Sequence, residues 1–345
     1  MQDIKEFNLA ELESKLLTLG FNAYHARQIF SWVYKKGVLD FGRMSDLSSG
    51  LRDQLMLKFS ILNSRIIKQF ESKDGTKKIL IELKDKSLVE AVNIPQQERV
   101  TGCVSTQVGC KFACAFCASG ISGFRRNLAT QEIIEEILWL KNSSKDLKLT
   151  HLVFMGTGEP LDNYENVIKT IRLINASWGL NIGARRITIS TCGIIPGIKK
   201  LAQEDLQFEL SVSLHASNNN LRSRLMPINK RYPLTELIAA CKEYSDKTKR
   251  QVTFEYILIK GINSELKHAN ELVRLLSGFR LSKVNIIPSN SVKELNIQAP
   301  AREEILRFKK YLVEQGQIVT LRKERGNDIQ AACGQLRLNY DTKQN

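Results

Sequence analysis

The sequence predicts an α/β protein with a helical segment in front, and three observations carry that prediction. From about residue 100, strand-like apolar runs alternate with segments of helical period, six β-α units in series. Such a series implies a parallel sheet, either open or curled into a partial barrel. The first ~60 residues show the helical period alone, and between these regions the period switches to that of strands about a turn.

Each element follows from its residues. Apolar positions in AELESKLLTLGF, YHARQIFSWVYKKG and LRDQLMLKF recur every three or four residues, as on one helix face, with Gly20, Gly37 and Gly50 where helices would end. Residues 1–75 are therefore read as a helical accessory domain. KKILIELKDKSLVEAVNIP reads as two short strands around a turn at residues 84–86. This makes 76–95 a β-hairpin linker region, ending in Pro95 and the linker-like QQERVTG. Residues 96–345 form the larger domain. Its strands are expected at 101–106, 150–155, 186–191, 208–214, 252–258 and 283–288, with a late one at 318–322. Its helices are expected at 130–141, 164–176, 196–204, 234–246, 265–276 and 302–314. Ligands in such folds sit at the carboxyl ends of the strands.

Composition narrows the function classes. Of 345 residues, 43% are hydrophobic and 25% charged, which excludes disorder as the main state. No apolar run reaches the ~18 residues of a bilayer span, and the acidic, amphipathic MQDIKEFNLAELESK is not a signal peptide. The chain is read as cytoplasmic, without a membrane partner. Net charge is +15; residues 1–94 hold 15 basic and 12 acidic groups, the remainder 36 and 24. The excess falls on the larger domain, much of it as doublets such as Arg125–Arg126, Lys230–Arg231 and Arg322–Lys323. A solvated basic face is one reading; a polyanion such as RNA is the sharper one. Seven cysteines, an odd number without an export signal, exclude a secreted disulfide scaffold and leave thiols with chemistry or metal to explain.

Cys110, Cys114 and Cys117 stand in CKFACAFC, just past the first strand of the series. Three thiolates this close can wrap one compact centre. On a four-iron cluster they leave one iron open for a ligand, whereas zinc usually takes a fourth protein ligand. A zinc knuckle completed by a distant His or Cys is the plainer alternative. Gly156-Thr157-Gly158-Glu159-Pro160 follows the second strand. There Gly158 allows close backbone approach, and Glu159 can accept hydrogen bonds from an ammonium group. Other strand ends offer Ser190, then Ser213, Leu214 and His215, then Asn290, residues that elsewhere serve as turn or core groups. Cys103 lies seven residues before the triplet. Cys333 lies near the C-terminus among small residues, a sterically open setting for a thiol. Cys192 and Cys241 read as packing residues.

The triplet, with Phe116 before its last cysteine, resembles the signature of the radical S-adenosylmethionine (SAM) enzymes. The wider set resembles the RlmN family of dual-specificity RNA adenine-C2 methyltransferases over nearly the whole chain. It comprises FNAYHARQIFSWVYKKGVLDFGRMSDLSSGLRDQL, VEAVNIP, CVSTQVGCKFACAFC, FRRNL, MGTGEPL, SVSLHA, LMPINKRYP and RGNDIQAACGQL. The resemblance implies a partial (β/α)6 radical SAM barrel. It implies one [4Fe-4S] cluster on Cys110, Cys114 and Cys117, exchangeable SAM held by Gly158, Glu159, Ser190, Ser213, Leu214, His215 and Asn290, and two SAM used per methylation. It further implies that Cys333 carries the methyl group, that a 5′-deoxyadenosyl radical activates it, and that Glu90 accepts the C2 proton. Cys103 then resolves the adduct through a transient disulfide with Cys333. The implied substrates are 23S rRNA in the peptidyl-transferase centre and tRNA at the adenosine 3′ of the anticodon. The implied electron donor is of flavodoxin or ferredoxin type, and the chain is expected to be a monomer. Two alternatives stand: a Cfr-type adenine-C8 methyltransferase, from which Pro160, RKERGNDI and IIPSN set this sequence apart, and a non-enzymatic zinc-binding RNA protein.

Overall fold

The structure is a computed structural model that describes residues 1–121, 123–144, 148–290, 297–332 and 334–336. Helices α1 (Leu9–Thr18), α2 (His25–Phe30) and α3 (Ser49–Lys58) begin the chain. Asn8 and Glu11 exchange capping hydrogen bonds at the start of α1, satisfying amides that no helical carbonyl reaches. These helices bury Leu12, Leu16, Phe30, Tyr34 and Leu55 in a core of their own, which Ile134, Leu138 and Leu173 of the larger domain complete. A buried ion-pair group ties the two cores: Lys5 Nζ lies 2.9 Å from Asp3 and 3.2 Å from Glu135.

Ten strands form the main sheet, and their order in space follows their order in the chain. They are β1 (Arg65–Glu71), β2 (Lys77–Glu82), β3 (Leu88–Gln96), β4 (Arg99–Cys103), β5 (Leu149–Phe154), β6 (Ile187–Thr191), β7 (Glu209–Ser213), β8 (Val252–Leu258), β9 (Ser282–Pro288) and β10 (Val319–Leu321). Strands β1 to β4 pair antiparallel; β4 to β10 pair parallel, through six crossovers. The crossovers carry α4 (Thr130–Ser143), α5 (Tyr164–Asn175), α6 (Ile195–Leu201), α7 (Asn219–Leu225) with α8 (Leu234–Thr248), α9 (Leu266–Leu275) and α10 (Arg302–Glu314). The expected series of strands and helices is present, and the sheet ends on β1 and β10 rather than closing. Its core runs from Ile79 and Val89 through Leu152, Ile189 and Val212 to Phe254, Ile286 and Phe308.

Three local expectations are corrected. A strand, β1, precedes residue 75 and was not expected, because as an edge strand it is mostly exposed and its alternation is blurred by Lys68 and Gln69. The 76–95 segment is the expected hairpin, β2 and β3 pairing antiparallel around residues 84–86, but it is no linker, since β1 and β4 flank it inside the sheet. Pro95 and Gln96 still pair within β3, and Gln97, at φ 52°, and Glu98 turn tightly into β4 rather than forming a linker. No helix among the described residues is long and apolar enough to cross a membrane.

Candidate active site

The cysteine triplet follows a short strand, Gln107–Gly109, that continues the line of β4 and pairs antiparallel with Phe124–Asn127. The loop is closed by its own backbone. The Cys110 amide donates to the Gly123 carbonyl at 3.1 Å, and the Cys117 amide to the Cys114 carbonyl at 3.1 Å. Helix α7 holds it from the other side, since the Leu225 carbonyl accepts from the Ala115 amide at 2.9 Å. All three cysteines line one chamber of about 160 Å³ at the carboxyl ends of the parallel strands, walled by Phe112, Phe116, Met226 and Ile257. Burial, with neighbouring thiolates adding to it, pushes the Cys110 thiol up to about 12 and the Cys114 thiol well above its ordinary value. Such a set is stable as thiolates only around a cationic centre. Among the described residues no three His, Cys, Asp or Glu side chains converge closely enough to hold a single metal ion. Three thiols of one loop on one chamber suit a four-iron cluster that leaves one iron open.

Gly158, Glu159, Ser190, Ser213 and His215 line the same chamber. Gly158, at φ +104°, must be glycine because a Cβ there would lie 2.6–2.8 Å from Gln107, including its backbone nitrogen. The close approach is thus between two chain segments. Glu159 is buried, and its carboxylate accepts from the Leu161 amide at 3.0 Å and the Cys192 amide at 2.6 Å. Burial raises its pKa, and the amides pull it back. His215 adopts φ 58° and accepts at Nδ1 from the Ile257 amide at 3.0 Å, while its ring meets Phe116 edge-on at 4.5 Å. Burial lowers its pKa to about 3, so the ring is neutral. Leu214 stands apart: its side chain is in the main core, and its carbonyl accepts from Arg222.

A second cavity of about 450 Å³ adjoins the first and shares Met155, Ile287 and Arg322 with it. Asn290 lines this cavity, with Cys103, Arg99, Lys323, Arg325, Ala331 and Ala332. Cys103 ends β4, is buried, and packs with Val92, Ala331 and Leu336. Glu90 lies two residues before Val92 on β3 and so shares its face. It is 1% exposed, against the exposed carboxylate a strand position would suggest, and Lys78 Nζ lies 2.9 Å from its Oε1. Lys78 also donates to the Gln330 carbonyl. The segment around these contacts is fastened at both ends. Asp328 accepts from Ser72 Oγ at 2.6 Å, and the Gly334 carbonyl accepts from the Ala118 amide at 2.8 Å. Cys333 lies outside the described residues; its neighbour Ala332 lines the second cavity and Gly334 the first.

Two chamber residues and one behind them escaped the sequence reading. Glu255 lines the first chamber from β8; an acid within the otherwise apolar VTFEYIL was the available signal. Cys192 lines it as well as packing with Ala216 and Leu225. Arg222, wholly buried on α7, holds the strand ends behind it.

Two family models match the chain: the radical SAM superfamily over residues 104–273, and the ribosomal RNA large subunit methyltransferase N-terminal domain over residues 2–61. A protein of Thermoanaerobacter sp. (strain X514), named "Probable dual-specificity RNA methyltransferase RlmN", is 45% identical over 99% of both chains. The chain belongs to the RlmN family. A relative of the same name from Caldanaerobacter subterraneus subsp. tengcongensis is 46% identical over 99% of both chains. A solved radical SAM methyltransferase from Sphaerobacter thermophilus matches at 42% identity and a TM-score of 0.95, over 98% of this chain and all of the other. The fold is thus the radical SAM α/β fold, and membership of the family implies a [4Fe-4S] cluster and SAM.

Proposed function

We propose that this chain is a radical SAM RNA methyltransferase that methylates C2 of adenosine in 23S rRNA and in tRNA 3′ of the anticodon. The observation that carries the reading is the pair of adjoining cavities: three cysteines and Glu159 on one, Cys103 and a basic rim on the other, with residues 332 and 334 on either side of the shared wall.

Cys110, Cys114 and Cys117 hold the cluster, and Gly158, Glu159, Ser190, Ser213, His215 and the backbone at Leu214 hold SAM beside it. Asn290 reaches SAM from the adjoining cavity. Bound there, cluster and SAM supply a one-electron cleavage that yields a primary carbon radical. The chain's own groups do the rest. Glu159 keeps acceptor capacity for the SAM ammonium beside the amides it holds. Neutral His215 accepts a backbone amide and shapes the wall without adding charge. Adenine C2 is an electron-poor carbon bearing hydrogen, so a polar methyl transfer from a sulfonium has no favourable path. Cys333 therefore takes the methyl group from a first SAM and delivers it as an activated carbon after a second SAM is consumed. Glu90, held by Lys78, accepts the C2 proton. The adduct gives up its unpaired electron, which the bound cluster would take back. Cys103 then attacks the Cys333 sulfur, and the C–S electron pair stays with the methylene carbon, which takes up a proton to become the methyl group. An external two-electron reductant reopens the disulfide. Arg99, Lys323 and Arg325 suit phosphates around an extruded base. A flavodoxin- or ferredoxin-type protein donates the electron, the chain acts as a monomer, and it works in the cytoplasm.

The test is mass spectrometry of 23S rRNA and tRNA after anaerobic reaction with the reconstituted protein. 2-Methyladenosine is expected in both. 8-Methyladenosine instead would make the enzyme Cfr-type, and a colourless zinc protein that modifies neither RNA would overturn the reading.

A further inference from the structure

The segment LRSRLMPINK enters neither the cluster nor the SAM contacts, yet it forms α7 and carries the largest fully buried side chain of the described residues, Arg222. Its guanidinium makes no ion pair with a carboxylate among the described residues. Every partner is a neutral oxygen: Cys192 carbonyl at 2.8 Å, Ser213 carbonyl at 3.0 Å, Leu214 carbonyl at 3.2 Å, Asn229 Oδ1 at 3.1 Å and Tyr232 carbonyl at 3.5 Å. A buried cation without a counter-ion is costly, so its retention calls for an anion in the working protein. The ionisable groups its charge reaches are Cys192, Cys114, Cys241 and His215, none of them a carboxylate.

The contacts also form a chain of attachment. The Cys192 peptide is gripped from both sides, its carbonyl by Arg222 and its amide by Glu159. The same helix holds the cysteine loop through the Leu225 carbonyl and the Ala115 amide. The ends of β6 and β7, the carboxylate facing the chamber and the cysteine loop therefore meet at α7.

We infer that Arg222 is a positioning residue: it fixes the Cys192 peptide, and through it Glu159, against the cysteine loop, and its charge offsets the thiolates of the loaded chamber. The inference rests on the cluster reading above. Wild-type protein that takes up no iron would sink that reading by itself, whereas the effects below are differences among proteins that do load.

Arg222→Lys keeps the charge but loses the planar fork; Arg222→Gln loses the charge. Anaerobic titrations with SAM and potentiometric titration of the cluster are the readouts. Arg222→Lys is expected to bind SAM about tenfold more weakly, the scale of one hydrogen bond to a charged group, at a wild-type cluster potential. Arg222→Gln is expected to lower that potential as well, because a nearby cation favours the more negative, reduced cluster. Unchanged SAM affinity in Arg222→Lys, or one potential shared by all three proteins, overturns the inference. Should Arg222→Gln fail to fold, the SAM affinity of Arg222→Lys decides alone.

Discussion

The chamber around Cys110, Cys114 and Cys117 holds about 160 Å³ behind Phe112, Phe116, Met226 and Ile257. The cavity across Met155 and Ile287 is nearly three times larger, at about 450 Å³, and its rim carries Arg99, Lys323 and Arg325. The first, walled mostly by apolar side chains, suits a small, reactive cofactor, because electrostatic interactions are strong in such surroundings. The second suits a nucleotide whose phosphates stay partly solvated. Placing them side by side puts Ala332 on one cavity and Gly334 on the other, so under the proposed function one segment serves both.

That contrast can be broken by experiment, the largest effect first. Cys114→Ala should remove a ligand from the first chamber, so iron content, visible absorbance and all methylation fall together; full iron retention would refute the ligand assignment. Cys333→Ala should leave iron and SAM binding intact while methylation vanishes. Cys103→Ala should trap an RNA-linked protein, seen as a slow band on denaturing gels, and its absence would remove Cys103 from the resolving step. Lys323→Ala touches only the second cavity. RNA affinity should drop several-fold and the slope of log affinity on log salt should shrink by about 1, as for one phosphate contact, with SAM binding unchanged.

The smallest effect concerns pH. His215 has a folded pKa near 3, below the ordinary 6.5, because burial disfavours the charged ring. The unfolded chain therefore binds the proton first. The stabilising share of this residue is complete above about pH 6.5 and is lost as pH falls from there toward 3. His215→Gln should flatten that part of the acid limb in thermal melts relative to wild type, and two parallel limbs would contradict the assignment. Comparing variant with wild type cancels His151 and His268, whose pKa values burial lowers too.

Much of this was legible in the sequence. Strand β8 and helix α10 run over the residues the periodicity predicts, because β8 is apolar but for Thr253 and Glu255, α10 keeps one apolar face, and both are packed along their length. The cysteine triplet was legible because its chemistry is local. Contacts that cross the chain were not. Nothing near Ser72 or Lys78 announces that they hold Asp328 and the Gln330 carbonyl. Helix α7 escaped because seven residues with two arginines look like a surface loop, and only the fold reveals that Arg222 points inward while Arg224 stays exposed. Glu90 looked like an ordinary strand carboxylate because its burial depends on Lys78 from β2 and on the segment packed above them.

The sheet whose strands lie side by side in chain order has a consequence for how the molecule is made. Each new strand can add to a template already present as the polypeptide emerges, so little of the fold must wait for distant partners. The exception is the return of the last stretch, where Asp328 reaches Ser72 across 256 positions, Gln330 reaches Lys78 and Gly326 reaches Asp74. A growing chain can thus shape its cofactor chamber early, while the neighbouring cavity, walled by residues 331, 332 and 336, has no roof until the last stretch returns to the first strands. The cavity that Cys103 lines is the last part of the molecule to be completed, and fraying of those contacts would open it first.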